Sequence, residues 1–340
     1  MLRAFSHNRI IMQLKIKFVM ATLALMPQFA MTQTAAQTAA QNFPARPIEM
    51  VIHSNPGAGQ DTFGRLVADI SAREKLLPQP FTVVNRPGGS GAVSSTFIKS
   101  KRGDPHYLLS LSSTIVLALA QRPDVALGLD IYTPVALFGF DLQALTVPVD
   151  SRFKTFKDLI DAAKQNPDSV VNGIASATGT ARLFQYQLEK ATGAKFKYVS
   201  FKSGGDAMAA VMGKHVDLTT ENVSEVLSGV EAKKLRILAV PAEQRLSGLP
   251  NVPTLKELGY NIHTGGGRGL AMPAGVSKEA LAVMETMAER AHKHPQWRDF
   301  AVKNMYESTY MGSAAFTQYL AKQMPVVAEF MESIGVRKAQ

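Results

Sequence analysis

The sequence predicts an α/β protein of two lobes, each a doubly wound sheet flanked by helices. Three observations lead there. Short strand-like runs alternate with helically spaced ones, the order that builds parallel sheets. The alternation occurs twice, before and after residues 144–147 (Ala-Leu-Thr-Val). Finally, 340 residues with 46% hydrophobic and 19% charged composition suffice for two ordinary domains with a buried core.

Residues 1–40 read as an export signal and linker. Basic residues run through Lys17, an apolar stretch covers 18–26, and small residues with Ala35-Ala36 and Ala39-Ala40 as cleavage candidates follow. Met12 could itself start a tidy signal. Such a stretch is too short to span a bilayer, which takes about 20 residues. No other segment reaches that length without charge or proline, so no membrane anchor is expected. The formal net charge of +10 falls to +6 once Arg3, Arg9, Lys15 and Lys17 are set aside. The remaining charges are scattered, which speaks against nucleic acid. With 0 cysteines, disulfides, thiol catalysis and lipid attachment through cysteine are excluded.

The elements follow in order. Residues 48–53 (Ile-Glu-Met-Val-Ile-His) form a strand ending in the loop Asn55-Pro56-Gly57-Ala58-Gly59. A helix follows with Phe63, Leu66, Val67 and Ile70 on one side and Asp61 as its N-cap. Residues 81–84 are a strand, 85–91 a Pro/Gly loop, 93–99 a helix and 107–111 a strand. After 144–147 come helix 156–164, a Ser/Gly loop at 176–180, helix 181–190 and strand 196–199. Helix 206–212, strand 216–219, helix 224–233 and strand 236–240 complete this run. The last third is mostly helical, with Ser277 capping a helix to Lys293 and another helix from Ser313 to Ser333.

The most informative loop is Gly57, Ala58, Gly59, Gln60 and Asp61. Glycines let the backbone approach a ligand, and a helix N-terminus offers unpaired N–H donors and partial positive charge to an anion. A dinucleotide fingerprint would need glycine at Thr62, and a Walker loop would need Lys and Ser/Thr at Arg65 and Leu66, so neither nucleotide motif is present. Anion binding and a plain strand-to-helix turn both fit the pattern. Ser176, Ala177, Thr178, Gly179 and Thr180 repeat the logic in the second run. Gly88-Gly89-Ser90-Gly91-Ala92 approaches a nucleophile elbow, but it follows the turn Asn85-Arg86-Pro87, so a Ser90 hydrolase is the weakest alternative. His292 and His294 cannot share a helix face, and no metal or cofactor is expected.

From these motifs outward the chain resembles the periplasmic substrate-binding proteins of tripartite tricarboxylate transporters, the Bug-type receptors. The resemblance covers about 44–336. It is carried by Pro47-Ile48 with the first loop, by Val83 through Gly91, Gly179-Thr180, Gly213-Lys214-His215-Val216-Asp217-Leu218 and residues 234–240. Leu249-Pro250-Asn251-Val252-Pro253-Thr254 with Glu257 and Gly259, and Pro273-Ala274-Gly275, extend it. It implies a type II-like periplasmic binding fold with a ligand cleft between a lobe of 42–145 plus 265–340 and a lobe of 146–264. It also implies a non-enzymatic periplasmic receptor for a small carboxylate, serving membrane transporter subunits, or alternatively a sensor kinase. Carried over residue by residue, the ligand-binding positions are Gly57, Ala58, Gly59, Gln60 and Asp61; Ser112 and Ser113; Ser176, Thr178, Gly179 and Thr180; Gly204, Gly205 and Asp206; and Asn222. Glu221 departs from the family pattern. Arg182, a second departure, could pair with a substrate carboxylate or simply face solvent in the first helical turn, and Arg268 could likewise point into the cleft or brace the crossing between lobes.

Overall fold

The computed structural model describes residues 43–121 and 128–336. The predicted signal and linker lie outside the described residues. The chain divides into two units after Ala45, and the account below concerns the unit beginning at Arg46.

Strand β1 (Ile48–Ile52) buries four of its five residues, and helix α1 (Gly59–Arg73) packs its Phe63, Val67 and Ile70 face inward. At Gly64 the helix touches the sheet, where a Cβ would collide with the Ile52 side chain. β2 (Phe81–Asn85) and β3 (Tyr107–Ser112) flank β1 in parallel, joined through a 3-10 turn at Gly89–Gly91 and helix α2 (Ala92–Lys99). Helix α3 (Ser113–Gln121) leaves β3 directly. Up to here the parallel reading holds.

The next strand departs from it. β4 (Tyr132–Pro148) runs for 17 residues and is buried along nearly all of them. Only its end, 144–147, was legible as a strand; a continuous apolar run gives no alternation to mark its length. The first part of β4 lies between β9 (Gly265–Pro273) and β10 (Glu307–Gly312), antiparallel to both. Its last residues lie between β7 (Leu218–Asn222) and β8 (Leu235–Ala239), again antiparallel. Beyond β7 come β5 (Val171–Ile174) and β6 (Lys197–Ser200), in parallel. The sheets are therefore mixed, and β4 is the strand they share.

Helices α4 (Phe156–Gln165), α5 (Thr180–Thr192), α6 (Gly204–Met212) and α7 (Val223–Glu231) alternate with the second group of strands, as predicted to within a few residues. Thr155 and Asp158 form a complete capping box at α4. The C-terminal segment adds α8 (Lys278–Lys293), capped by Ser277, then α9 (Pro295–Lys303), which the sequence reading missed, and α10 (Ser313–Ser333). α9 brings the fully buried Trp297 edge-on against Phe63 and Phe138, with ring centroids 5.8 and 5.3 Å away. That aromatic cluster ties the C-terminal helices to α1 and β4.

Candidate functional site

The first loop is held from inside. Asp61 is not the N-cap expected of it: Ala58 takes that position, and Asp61 sits in the first turn of α1 with its carboxylate turned back onto the Gly57 N–H at 2.9 Å. Arg65 Nε donates to both Asp61 oxygens (3.0 and 2.9 Å) and Asn85 Nδ2 to Oδ1 (2.8 Å). Burial works against the Asp61 charge, but these donors outweigh it and hold the carboxyl below its usual range. Asp61 thus shapes the loop, and as a carboxylate it would repel a ligand anion rather than hold one. Gly57 takes a left-handed φ of +83°, which lets the chain turn there. Gln60 is buried, its amide donating to Ser110 Oγ at 2.7 Å and to the Leu111 carbonyl, while its Oε1 has no partner.

Over Gly59 lies Arg268. A Cβ on Gly59 would stand 3.2 Å from Arg268 Nη2, so the absence of a side chain leaves the guanidinium beside the α1 N-terminus. Arg268 Nη2 also donates to Asp141 Oδ2 at 3.0 Å and to Tyr306 Oη at 3.1 Å. Asp141 accepts further from Asn222 Nδ2 (2.9 Å) and Ser224 Oγ (3.2 Å), residues at the end of β7 and the start of α7. One guanidinium and one carboxylate therefore link the first loop to the second group of strands. Burial pushes the Asp141 carboxyl up to about 6, with the Arg268 charge pulling the other way. Burial, and then Arg268, push His53 down to about 4, so its ring is neutral at pH 7; its Nε2 shares a 2.7 Å hydrogen bond with Ser112 Oγ.

Beyond Asp141 stands a pair of carboxyl groups. Glu221 is buried at the end of β7 and accepts from the Ala175 N–H at 2.7 Å, while Glu225 is exposed on the first turn of α7. Both lie over Gly204, where a Cβ would stand 3.1 Å from Glu221 Oε2 and closer still to Glu225 Oε2. Burial and the neighbouring Glu225 push Glu221 up, to about 8. Gly204, Gly205 and Asp206 form the α6 N-terminus, with Asp206 N–H donating to the Ser203 cap at 3.2 Å. The chain's own carboxyl groups already occupy the space over that N-terminus.

The remaining predicted positions divide. Gly179 caps α5 without a side-chain bond, and Ser176 Oγ accepts from the Thr178 N–H at 3.3 Å, leaving 176–180 as a turn into the helix. Thr180 lines a cavity of about 30 Å³ with Ser113, Thr264 and Gly265. Ser113 Oγ is saturated, donating to the Gly265 carbonyl (2.9 Å) and accepting from Gly267 N–H (2.8 Å), so it pins the start of β9. Arg182 is turned elsewhere: its guanidinium lies 3.9 Å from the centroid of Tyr198 and 3.7 Å from Glu189, against β6. Ser90 takes a left-handed φ of +53° in an exposed turn, and among the described residues its hydroxyl has no hydrogen-bonding partner to activate it.

Sequence reasoning missed His53, Asp141, Glu225 and Tyr306. Asp141 had a signal: a carboxylate in the middle of a long apolar run is either paired or functional. Tyr306 had none, because it is brought to Arg268 only by the packing of α9. Among the described residues no group of three or more His, Asp or Glu side chains is placed to hold a metal ion.

A mixed two-sheet α/β fold with a buried arginine beside the N-terminus of α1 fits one class: a solute-binding receptor of the periplasmic binding type. The model of the tripartite tricarboxylate transporter family receptor matches residues 64–336, and the chain belongs to that family. It is 30% identical over 306 residues to a protein of the gbd 5' region of Cupriavidus necator, covering 90% of this chain and 92% of that one. Among solved structures it is similar to a TctC solute binding protein from Polaromonas, with TM-score 0.78 and 28% identity over 86% of this chain and 99% of that one. It shares its fold with Rhodopseudomonas palustris MatC bound to malate (TM-score 0.65, 21% identity, 85% and 100% covered). The same holds for an R. palustris protein with adipate (TM-score 0.67, 20% identity, 86% and 98% covered). The family consists of receptors, not enzymes. No described helix is long and apolar enough to cross a membrane.

Proposed function

We propose that the protein captures a small organic acid in the cleft between two lobes, 42–145 with 265–340 and 146–264, and delivers it to a tripartite tricarboxylate-type membrane transporter. The observation that carries this reading is the Arg268 guanidinium beside Gly59. It sets a permanent cation next to the unpaired N–H groups and positive end of α1, a combination that favours a carboxylate. The second helix N-terminus, at Gly179 and Thr180, would close on the ligand from the other lobe, together with Ser176 and Thr178. The acids in the fold relatives, malate and adipate, carry two carboxylates, and a second carboxylate here would meet the 176–180 turn.

Closure would bend the chain where β4 and β9 run between the lobes. The leader at 1–40 fits export to the periplasm followed by cleavage, and the N-terminus of the mature protein tests this directly. For capture itself, the exported chain is titrated calorimetrically with malate, succinate and adipate. Saturable binding of at least one acid, lost in a folded Arg268→Gln variant, is expected. Binding that survives that substitution would move the site elsewhere.

A further inference from the structure

β8 is an edge strand. Among the described residues its strand partner is β4, and its other side faces a groove of about 700 Å³. The groove is closed at the C-terminal end of the strand, where Val240 N–H donates to the Pro253 carbonyl (3.2 Å) and Leu255 N–H to Val240 (2.9 Å). Residues 235–238 line the rest, over an apolar floor that includes Phe156 and Leu258. Its charges are all of one sign: Lys154, Lys157, Lys233 and Arg236, with no acid in the lining. Lys157 pairs with Asp161. No carboxylate of the described residues forms an ion pair with Lys154, Lys233 or Arg236, and Arg236 Nη1 is buried without a hydrogen-bond partner. A buried guanidinium nitrogen left unpaired is unfavourable unless something else supplies the acceptor.

We propose that this groove docks an extended, carboxylate-bearing segment of a partner protein, which adds a strand to the free edge of β8 and seats its acids on Arg236 and Lys233. Backbone pairing along the edge supplies affinity, and the unmatched cations select for acidic side chains. The groove lies on the opposite side of β4 from β7, whose end carries Glu221 and Asn222, so an occupant here leaves the ligand cleft open.

The probe is a fluorescent acetylated pentapeptide, Glu-Val-Glu-Val-Glu, titrated against the exported protein by anisotropy. Its Gln-for-Glu counterpart, a backbone N-methylated version and free hexanoate serve as comparisons. Saturable binding is expected, weakened at least tenfold by Arg236→Gln and by the Gln peptide, and abolished by N-methylation. Dicarboxylate titrations of the same variants should be unchanged, which separates this site from the cleft and shows that the variants fold. Absence of saturable binding would overturn the proposal and leave the cations as guards of an edge strand. Hexanoate binding as tightly as the peptide would also overturn it, in favour of a small-anion pocket, and so would an affinity indifferent to Arg236→Gln and Lys233→Gln.

Discussion

Arg268 and Asp141 form an ion pair of 3.0 Å with their side chains only 11% and 3% exposed. β4 and β9 place them diagonally across the strand pair, with Gly139 in register with Arg268 and Gly266 with Asp141. The pair is held at the one place where both sheets share a strand. Removing one partner of such a pair leaves the other buried and unmatched, which costs about 3–5 kcal/mol. Arg268→Gln should therefore destabilise the protein by roughly that amount in urea denaturation at pH 7. The double variant with Asp141→Asn should recover most of it. Equal stability of the single and double variants would show that the pair does not act as a unit.

The carboxyl groups of Glu221 and Asp141 set a pH dependence. Glu221, pushed up to about 8, binds a proton in the folded state over a range where the unfolded chain has lost it. Its favourable contribution is thus complete below the unfolded value near 4.5 and lost as pH rises through 8. Asp141, raised to about 6, acts with the same sign at lower pH. His53, lowered to about 4, acts oppositely, its contribution present above 6.5 and lost as pH falls. Of these three effects only the first acts between pH 6.5 and 8. Stability should fall across that window, and Glu221→Gln should flatten the slope; thermal denaturation at half-unit pH steps reads both.

Gly139→Ala should loosen β10 from β4. A Cβ there would run into the backbone carbonyl of Glu307, which cannot rotate aside as a side chain could. Overpacking of this kind costs on the order of 1–3 kcal/mol. Trp297 is the sole tryptophan and fully buried, so its emission follows the unfolding. An unchanged denaturation midpoint would contradict the close approach.

Thr180→Trp should abolish organic-acid binding while the protein stays folded, because the indole cannot fit the small space shared by Thr180, Ser113 and Gly265 at the mouth of α5. Calorimetry beside circular dichroism is the check. Full affinity in a folded variant would remove the 176–180 turn from the site.

Arg182→Gln, by contrast, should leave ligand affinity within about twofold, since the Arg182 guanidinium packs on Tyr198 and Glu189. A large loss of affinity would restore the role the sequence suggested for it.

Local features were legible from the chain itself. The glycine loop before α1, the caps at Ser277 and the turn at 176–180 depend on contacts between residues a few positions apart. Their period and composition mark them directly. The same holds for α10, whose bounds follow from where apolar spacing starts and stops. β9 was not legible as a strand: Gly265, Gly266 and Gly267 give no β pattern, and they pair because β4 lies alongside, while β3 flanks β9 only from Arg268 onward. Arg182 and Arg268 looked alike as candidates, and packing set one against Tyr198 and Glu189 and the other beside Gly59 and Asp141.

The sequence by itself determined the α/β class, the two runs of alternating elements, the family and the loops that carry helix N-termini, because each rests on periodicity or on short-range order. Only the tertiary structure decided that Asp61 is consumed by Arg65, Asn85 and Gly57, that Asp141 meets Arg268, and that Glu221 and Glu225 share the space over Gly204. Those partners come from strands and helices far apart in the chain, and charge and burial depend on which groups packing brings together, a quantity that no local pattern encodes.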